Sequence, residues 1–177
     1  MTFTENANRA RAREGIVAVV AGAWSDFFVT IGGAAAALTG LLFVAVAFRP
    51  REIRNSPLMV GRARSAFYAF VTVVLAALLA LAGTGSRLIG VGQAIVAAGA
   101  FVASCPFTIH AIRDRSLNYR RAAVYHLGLA LVGAAGIVRA LDGGHQTAEA
   151  LLAFGVLVLI GIALSNSWQL VLSHEAG

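Results

Sequence analysis

Residues 27 to 48 read FFVTIGGAAAALTGLLFVAVAF, 22 positions without a charged side chain. A helix of about 20 apolar residues crosses the roughly 30 Å hydrocarbon core of a bilayer, so this stretch is long enough to span one. The rest of the chain decides whether it does. Of 177 residues, 59% are hydrophobic and only 12% are charged, against the ~25% charge of typical soluble domains. The mean hydropathy is +0.80. A chain this short has too much surface for its volume to hide that apolar area in one aqueous core. Lipid must be the solvent for much of it.

Charges divide the chain cleanly. The intervals free of Asp, Glu, Lys and Arg are 15–25, 27–48, 65–86, 88–112, 122–138 and 150–174. Four reach membrane-spanning length, and 122–138 reaches it by including Arg139, which can snorkel to the interface. The first interval is too short. The runs lack the apolar–polar alternation of transmembrane strands. The expected fold is all-α, an integral membrane bundle of five transmembrane helices at about 27–48, 65–84, 88–110, 122–141 and 149–172. These form one domain over 27–177, behind an N-terminal tail, 1–26, with a short apolar or interfacial segment.

Arginine placement orients the bundle. The net charge of +6 comes from 14 arginines without a lysine. A basic chain suggests nucleic acid when soluble, but here the arginines cluster at the ends of apolar runs, where anionic headgroups favour them. Nucleic acid is therefore not an expected partner. The loops RPREIRNSPLMVGRAR (49–64) and RDRSLNYRR (113–121) hold nine arginines, whereas the other two connections hold Arg87 and Arg139 alone. The positive-inside rule then puts both long loops and the C-terminus in the cytoplasm and the N-terminus outside a bacterial plasma membrane. The tail carries Arg9, Arg11 and Arg13 on that outer side. NRARAREGIVAVVAGAW reads either as a signal peptide ending at Ala21-Gly22-Ala23 or as an extension of the first helix or an interfacial segment.

Three stretches carry a family likeness: WSDFFVTIGGAAAALTGLLFVAVAF opening the first helix, Arg62-Ala63 before the second, and SNSWQLVL ending the last. The chain resembles a family of small actinobacterial multi-pass membrane proteins, some labelled "modulator of FtsH protease". It departs from the family pattern at Gln169 and His174. The resemblance implies the multi-pass architecture and names no mechanism.

Few residues could carry chemistry. Gly32, Ala36 and Gly40 share one helical stripe, with Gly33 and Ala37 beside them. Small side chains permit the close approach on which helix association in lipid relies. The stripe thus reads as a packing seam inside the molecule, a self-association seam or a pore-lining face. Asp26 follows the interfacial Trp24 and is expected in the first turn of its helix, capping free N–H groups. Alternatively it forms an outer-face ion pair with Arg87 or Arg139.

At the cytoplasmic end the spans bring Tyr68, His110, His126, Asn166 and Gln169 to similar depth. His126 and Asn166 are expected to lie deepest and to touch or share a neighbour. Such polar groups usually face the bundle interior, and a histidine near neutral pKa could respond to protons. Pro106 should kink or end the third span.

The four histidines lack zinc-site spacing, and the lone Cys105 excludes a multi-cysteine site. GTGSRLIGVG lacks the P-loop lysine. No catalytic set, metal or cofactor is expected, so the chain does not read as an enzyme. The leading expectation is a structural or regulatory membrane protein that associates with itself or with another membrane complex. The alternative is a small oligomeric channel or transporter whose first helix lines the path.

Overall fold

The computed structural model describes residues 3–48, 50–83, 87–113, 119–142 and 145–172. They form six helices: α1 (Phe3–Phe48), α2 (Pro50–Asn55), α3 (Pro57–Leu81), α4 (Arg87–Arg113), α5 (Tyr119–Asp142) and α6 (His145–Leu172). Five of them, all but α2, are long and apolar enough to cross a membrane, and the fold is an all-α helical bundle. The segment 49–64, expected as a loop, is instead largely helical, because arginines are good helix formers and end an apolar run without ending a helix. Ser56 caps α3 by accepting from the Met59 N–H at 3.4 Å, with Pro57 as the first helical residue, where its missing N–H costs nothing. α4 continues through Pro106 to Arg113.

Helices α3 to α6 close a ring, α3 on α4, α4 on α5, α5 on α6 and α6 back on α3, while α1 lies outside it on α3. Within the buried faces one series recurs at alternating steps of three and four. In α3 it runs through Ala66, Ala69, Val73, Ala76 and Ala80, with Phe70, Thr72 and Ala77 buried beside it. In α6 it runs through Glu149, Leu152, Val156, Leu159, Ala163 and Asn166, with Ala148, Ala153 and Ile160 beside it. That 3.5-residue period keeps one seam facing its neighbours if the helices coil left-handedly, with the shallow crossings usual in membranes. The alanines let α3 sit at the centre, close to three other helices.

Individual contacts give the register. Glycine lets α4 and α5 meet backbone to backbone: a Cβ on Gly90 would lie 2.6 Å from the Gly136 carbonyl oxygen, and one on Gly136 the same distance from that of Gly90. Gly128 meets Leu159 and Gly155 meets Val132, which fixes α5 against α6. Gly32 on Ala77 and Phe43 on Phe67 fix α1 against α3. All are antiparallel neighbours. The ends of α1, α4 and α6 and the starts of α3 and α5 therefore share one end of the bundle, rich in arginine.

α1 is the exception in length. Its 46 residues extend about 69 Å at 1.5 Å per residue. Its inner seam, Trp24, Phe28, Ile31, Ala35, Leu38 and Leu42, packs on the core. Only 11% of its apolar window is buried, against 44% for α3.

Candidate functional site

Two regions place small or charged residues where lipid alone does not explain them. The first is the outer face of α1. Gly22, Asp26, Val29, Gly33, Ala36 and Gly40 also recur at steps of four and three, on the side away from α3, and all are exposed. A Cβ on Gly22, Gly33 or Gly40 would meet nothing within 4 Å. Ala37 is exposed beside them. Gly32 departs from this set, since a Cβ there would come within 2.9 Å of Ala77 Cβ. The sequence-read stripe therefore splits: Gly32 packs inward on α3 and Gly33, Ala36, Ala37 and Gly40 face outward. The reason is angular. Residues 32 and 40 are eight apart, which turns the helix some 80° beyond two full turns at 3.6 residues each.

Asp26 does not cap a helix, because α1 begins at Phe3, more than twenty residues earlier. Its exposed carboxylate lies on the outer seam, and its carbonyl accepts from Thr30 Oγ1 at 2.8 Å. Trp24, Phe27 and Phe28 cluster beside it, with ring centroids 5.2 to 6.2 Å apart.

The second region lies at the opposite end from the arginine-rich one, between α4, α5 and α6. Arg139 is 1% exposed and Glu149 is 5% exposed, and Arg139 Nη2 donates to Glu149 Oε1. Arg139 thus has a partner on α6, in place of the alternative outer-face pair with Asp26. Arg87 is exposed at the start of α4. The α5–α6 register puts Arg139 level with Glu149, and both occupy seam positions. A buried pair offsets desolvation only through good geometry, and losing one member is costly.

Gln93 on α4 is fully buried. Its Cβ stands 3.1 Å from the place a Gly136 Cβ would take. Gly136 lies three residues before Arg139, about one turn away on α5. Both amide atoms of Gln93, and Nε and Nη1 of Arg139, are buried without a hydrogen-bond partner among the described residues. Glu149 and Gln93 were missed in the sequence. Glu149 opens the fifth expected span and Gln93 lies inside the third, and residue type alone sets neither apart. The 3.5-residue seam, traced back from Leu152 and Ala97, would have marked both.

The polar residues of the arginine-rich end divide between two contacts. Asn166 Nδ2 donates to Ser65 Oγ at 3.0 Å, joining α6 to α3. His126 joins α5 to α4, its Nε2 3.5 Å from Ser104 Oγ and its Nδ1 2.8 Å from the Ala122 carbonyl oxygen. Phe101 and Tyr125 meet the imidazole edge to face. The expected His126–Asn166 contact is therefore replaced by two separate ones. The α5–α6 register sets His126 opposite Gly161, about five residues or ~7.5 Å from Asn166 along the bundle.

Tyr68 accepts from Arg64 Nε at 3.1 Å, and Gln169 Oε1 is buried without a partner among the described residues. The side chain of His110, and all of His174, lie outside the described residues. Among the described residues no three His, Cys, Asp or Glu side chains gather into a group that could hold a metal ion. Comparison with protein-family models, with curated proteins and with solved structures finds no match.

Proposed function

We propose that this is a structural membrane protein that assembles through α1 with a second copy of itself. The observation that carries the reading is the outer seam of α1, in which glycines and alanines stand open at helix-pairing spacing. Its apolar span, Ala18–Phe48, is 31 residues, or about 46 Å, against roughly 30 Å of hydrocarbon. Lipid covers that excess only if the helix tilts or the bilayer thickens; a second α1 covers it directly. A two-fold pair matches one seam to itself, and small side chains allow the close contact on which association in lipid depends. Asp26 meets its own copy at the rim, where water and salt screen the repulsion.

Cysteine cross-linking tests this. In a Cys105→Ser background, Ala36→Cys should give a disulfide-linked dimer on oxidation in native membranes, and Leu38→Cys, which faces α3, should not. Equal yields at the two positions would remove the reading. Cross-links from Ala36→Cys to a different protein alone would replace self-assembly with a heteromeric partner. In this assembly the arginine-rich end faces the cytoplasm of a bacterial plasma membrane, which reporter fusions after Ser56 (inside) and Gly143 (outside) check.

The buried Arg139–Glu149 pair with Gln93 favours a second reading, a small oligomeric channel or transporter. Intramembrane charges often mark ion or proton pathways. That reading expects an ion conductance in planar bilayers that Glu149→Gln abolishes while the Ala36→Cys cross-link persists.

A further inference from the structure

A groove of about 240 Å³ runs between α1 and α3, lined by Leu42, Phe43, Val46, Ala63, Arg64 and Phe67. Phe43 and Phe67 meet edge to face with centroids 5.3 Å apart, and Leu42 is buried, so the lining belongs to the packed α1–α3 interface. Both helices are membrane-spanning in length and composition along this stretch, and the groove therefore opens to lipid. Its one charged group is Arg64. The α1–α3 register sets Arg64 level with Val46, two residues before the end of α1, which is headgroup depth. The guanidinium is already oriented there, with Nε donating to Tyr68 Oη at 3.1 Å and Cζ 5.4 Å from the centre of the Tyr68 ring. That bond engages Nε and leaves the Nη pair, a bidentate donor for phosphate.

We propose that this groove binds an anionic phospholipid, one acyl chain lying on Leu42, Val46 and Phe67 and the headgroup phosphate held by Arg64. Charge complementarity selects the occupant. The same end of the bundle also carries Arg51, Arg54, Arg62, Arg120 and Arg121, and basic side chains between spans at a headgroup surface attract anionic lipid. A zwitterionic lipid matches the apolar half of the site equally well but adds a positive group to an already positive rim.

Native mass spectrometry of the protein in mild detergent, equilibrated with equal phosphatidylglycerol and phosphatidylcholine, tests the assignment. The comparison is made on the monomer mass peak in a Gly40→Leu background, where self-association is expected to be weaker, so the result does not depend on whether the chain self-assembles. One lysine or arginine contributes about 1 kcal/mol to anionic-surface binding, so phosphatidylglycerol should be retained about fivefold over phosphatidylcholine. Arg64→Gln should abolish that preference. Arg120→Gln removes the same charge from the same end on α5 and should keep it. Val46→Trp, and the smaller filling change Ala63→Leu, should release both lipids. Three results would overturn the site: no preference in the parent, preference surviving Arg64→Gln, or Arg120→Gln losing as much as Arg64→Gln.

Discussion

The interface of α4 with α5 and the outer face of α1 are built from the same materials and put them to opposite use. Each offers glycines on a 3.5-residue seam with polar or charged side chains in line with them: Gln93 and Arg139 in one, Asp26 in the other. At α4–α5 the glycines are filled: Gly90 and Gly136 stand where a Cβ would strike the opposite backbone at 2.6 to 2.7 Å. On α1, Gly33 and Gly40 have nothing within 4 Å. At α5–α6 the carboxylate of Glu149 is buried and paired with Arg139, whereas that of Asp26 is exposed. A glycine seam thus marks a surface suited to close approach. Whether the approach is already made is a property of the neighbours, not of the seam.

The comparison breaks most sharply at the ion pair. Glu149→Ala leaves Arg139 charged and buried, and should destabilise the bundle by about 3–5 kcal/mol, read as a lower thermal midpoint in detergent. The double variant Arg139→Met with Glu149→Leu should recover most of the loss, because two apolar side chains carry no desolvation cost. Asp26→Ala should leave the midpoint within about 0.5 kcal/mol. Equal losses at Glu149 and Asp26 would erase the distinction between the two regions.

The glycines come next. Gly136→Ala forces backbone apart and should cost about 1–3 kcal/mol, as should Gly32→Ala if Ala77 cannot yield. Gly33→Ala meets open space and should be neutral or slightly stabilising, since alanine is the better helix former by about 1 kcal/mol.

Smaller again is the effect on assembly. Gly40→Leu should leave the thermal midpoint of the monomer unchanged and weaken self-association about tenfold, or about 1.4 kcal/mol, because the leucine separates two close backbones. Analytical ultracentrifugation in density-matched detergent measures both states. Finally, Asp26→Asn removes a like-charge contact at the rim and should tighten the dimer by a few tenths of a kcal/mol, fading as salt rises. Weaker association of Asp26→Asn would mean that Asp26 pairs with a cation instead.

Much of the fold was legible because lipid imposes a coarse rule. Four charge-free runs of spanning length, and a fifth extended through Arg139, each map onto one of the five long helices, whereas the 49–64 connection proved largely helical. The ends were less legible. Charge was used as a boundary, yet Arg62 and Arg64 lie inside α3, and Arg139, expected to snorkel to the interface, is buried against Glu149. Arginine and glutamate are compatible with helix, and only their burial decides whether they are at an interface. The same habit put Asp26 at a helix start when α1 passes straight through it. The site residues fared unevenly for a related reason. The small residues of α1 were visible as a set, but the split between Gly32 and its neighbours depends on which side α3 occupies. His126 and Asn166 were judged by depth along each helix, and a shift in register of five residues gave them different partners.

Composition, the spacing of charge-free runs and the placement of arginine were enough to read a multi-helix chain for an apolar solvent, since each helix meets that solvent largely on its own. Only the packed bundle decided which face of each helix is covered, that Glu149 is the partner of Arg139, and that the α1 seam is left open. Those outcomes depend on register and rotation between segments far apart in the chain. Steps of a few ångströms there exchange one partner for another while leaving every local pattern in the sequence intact.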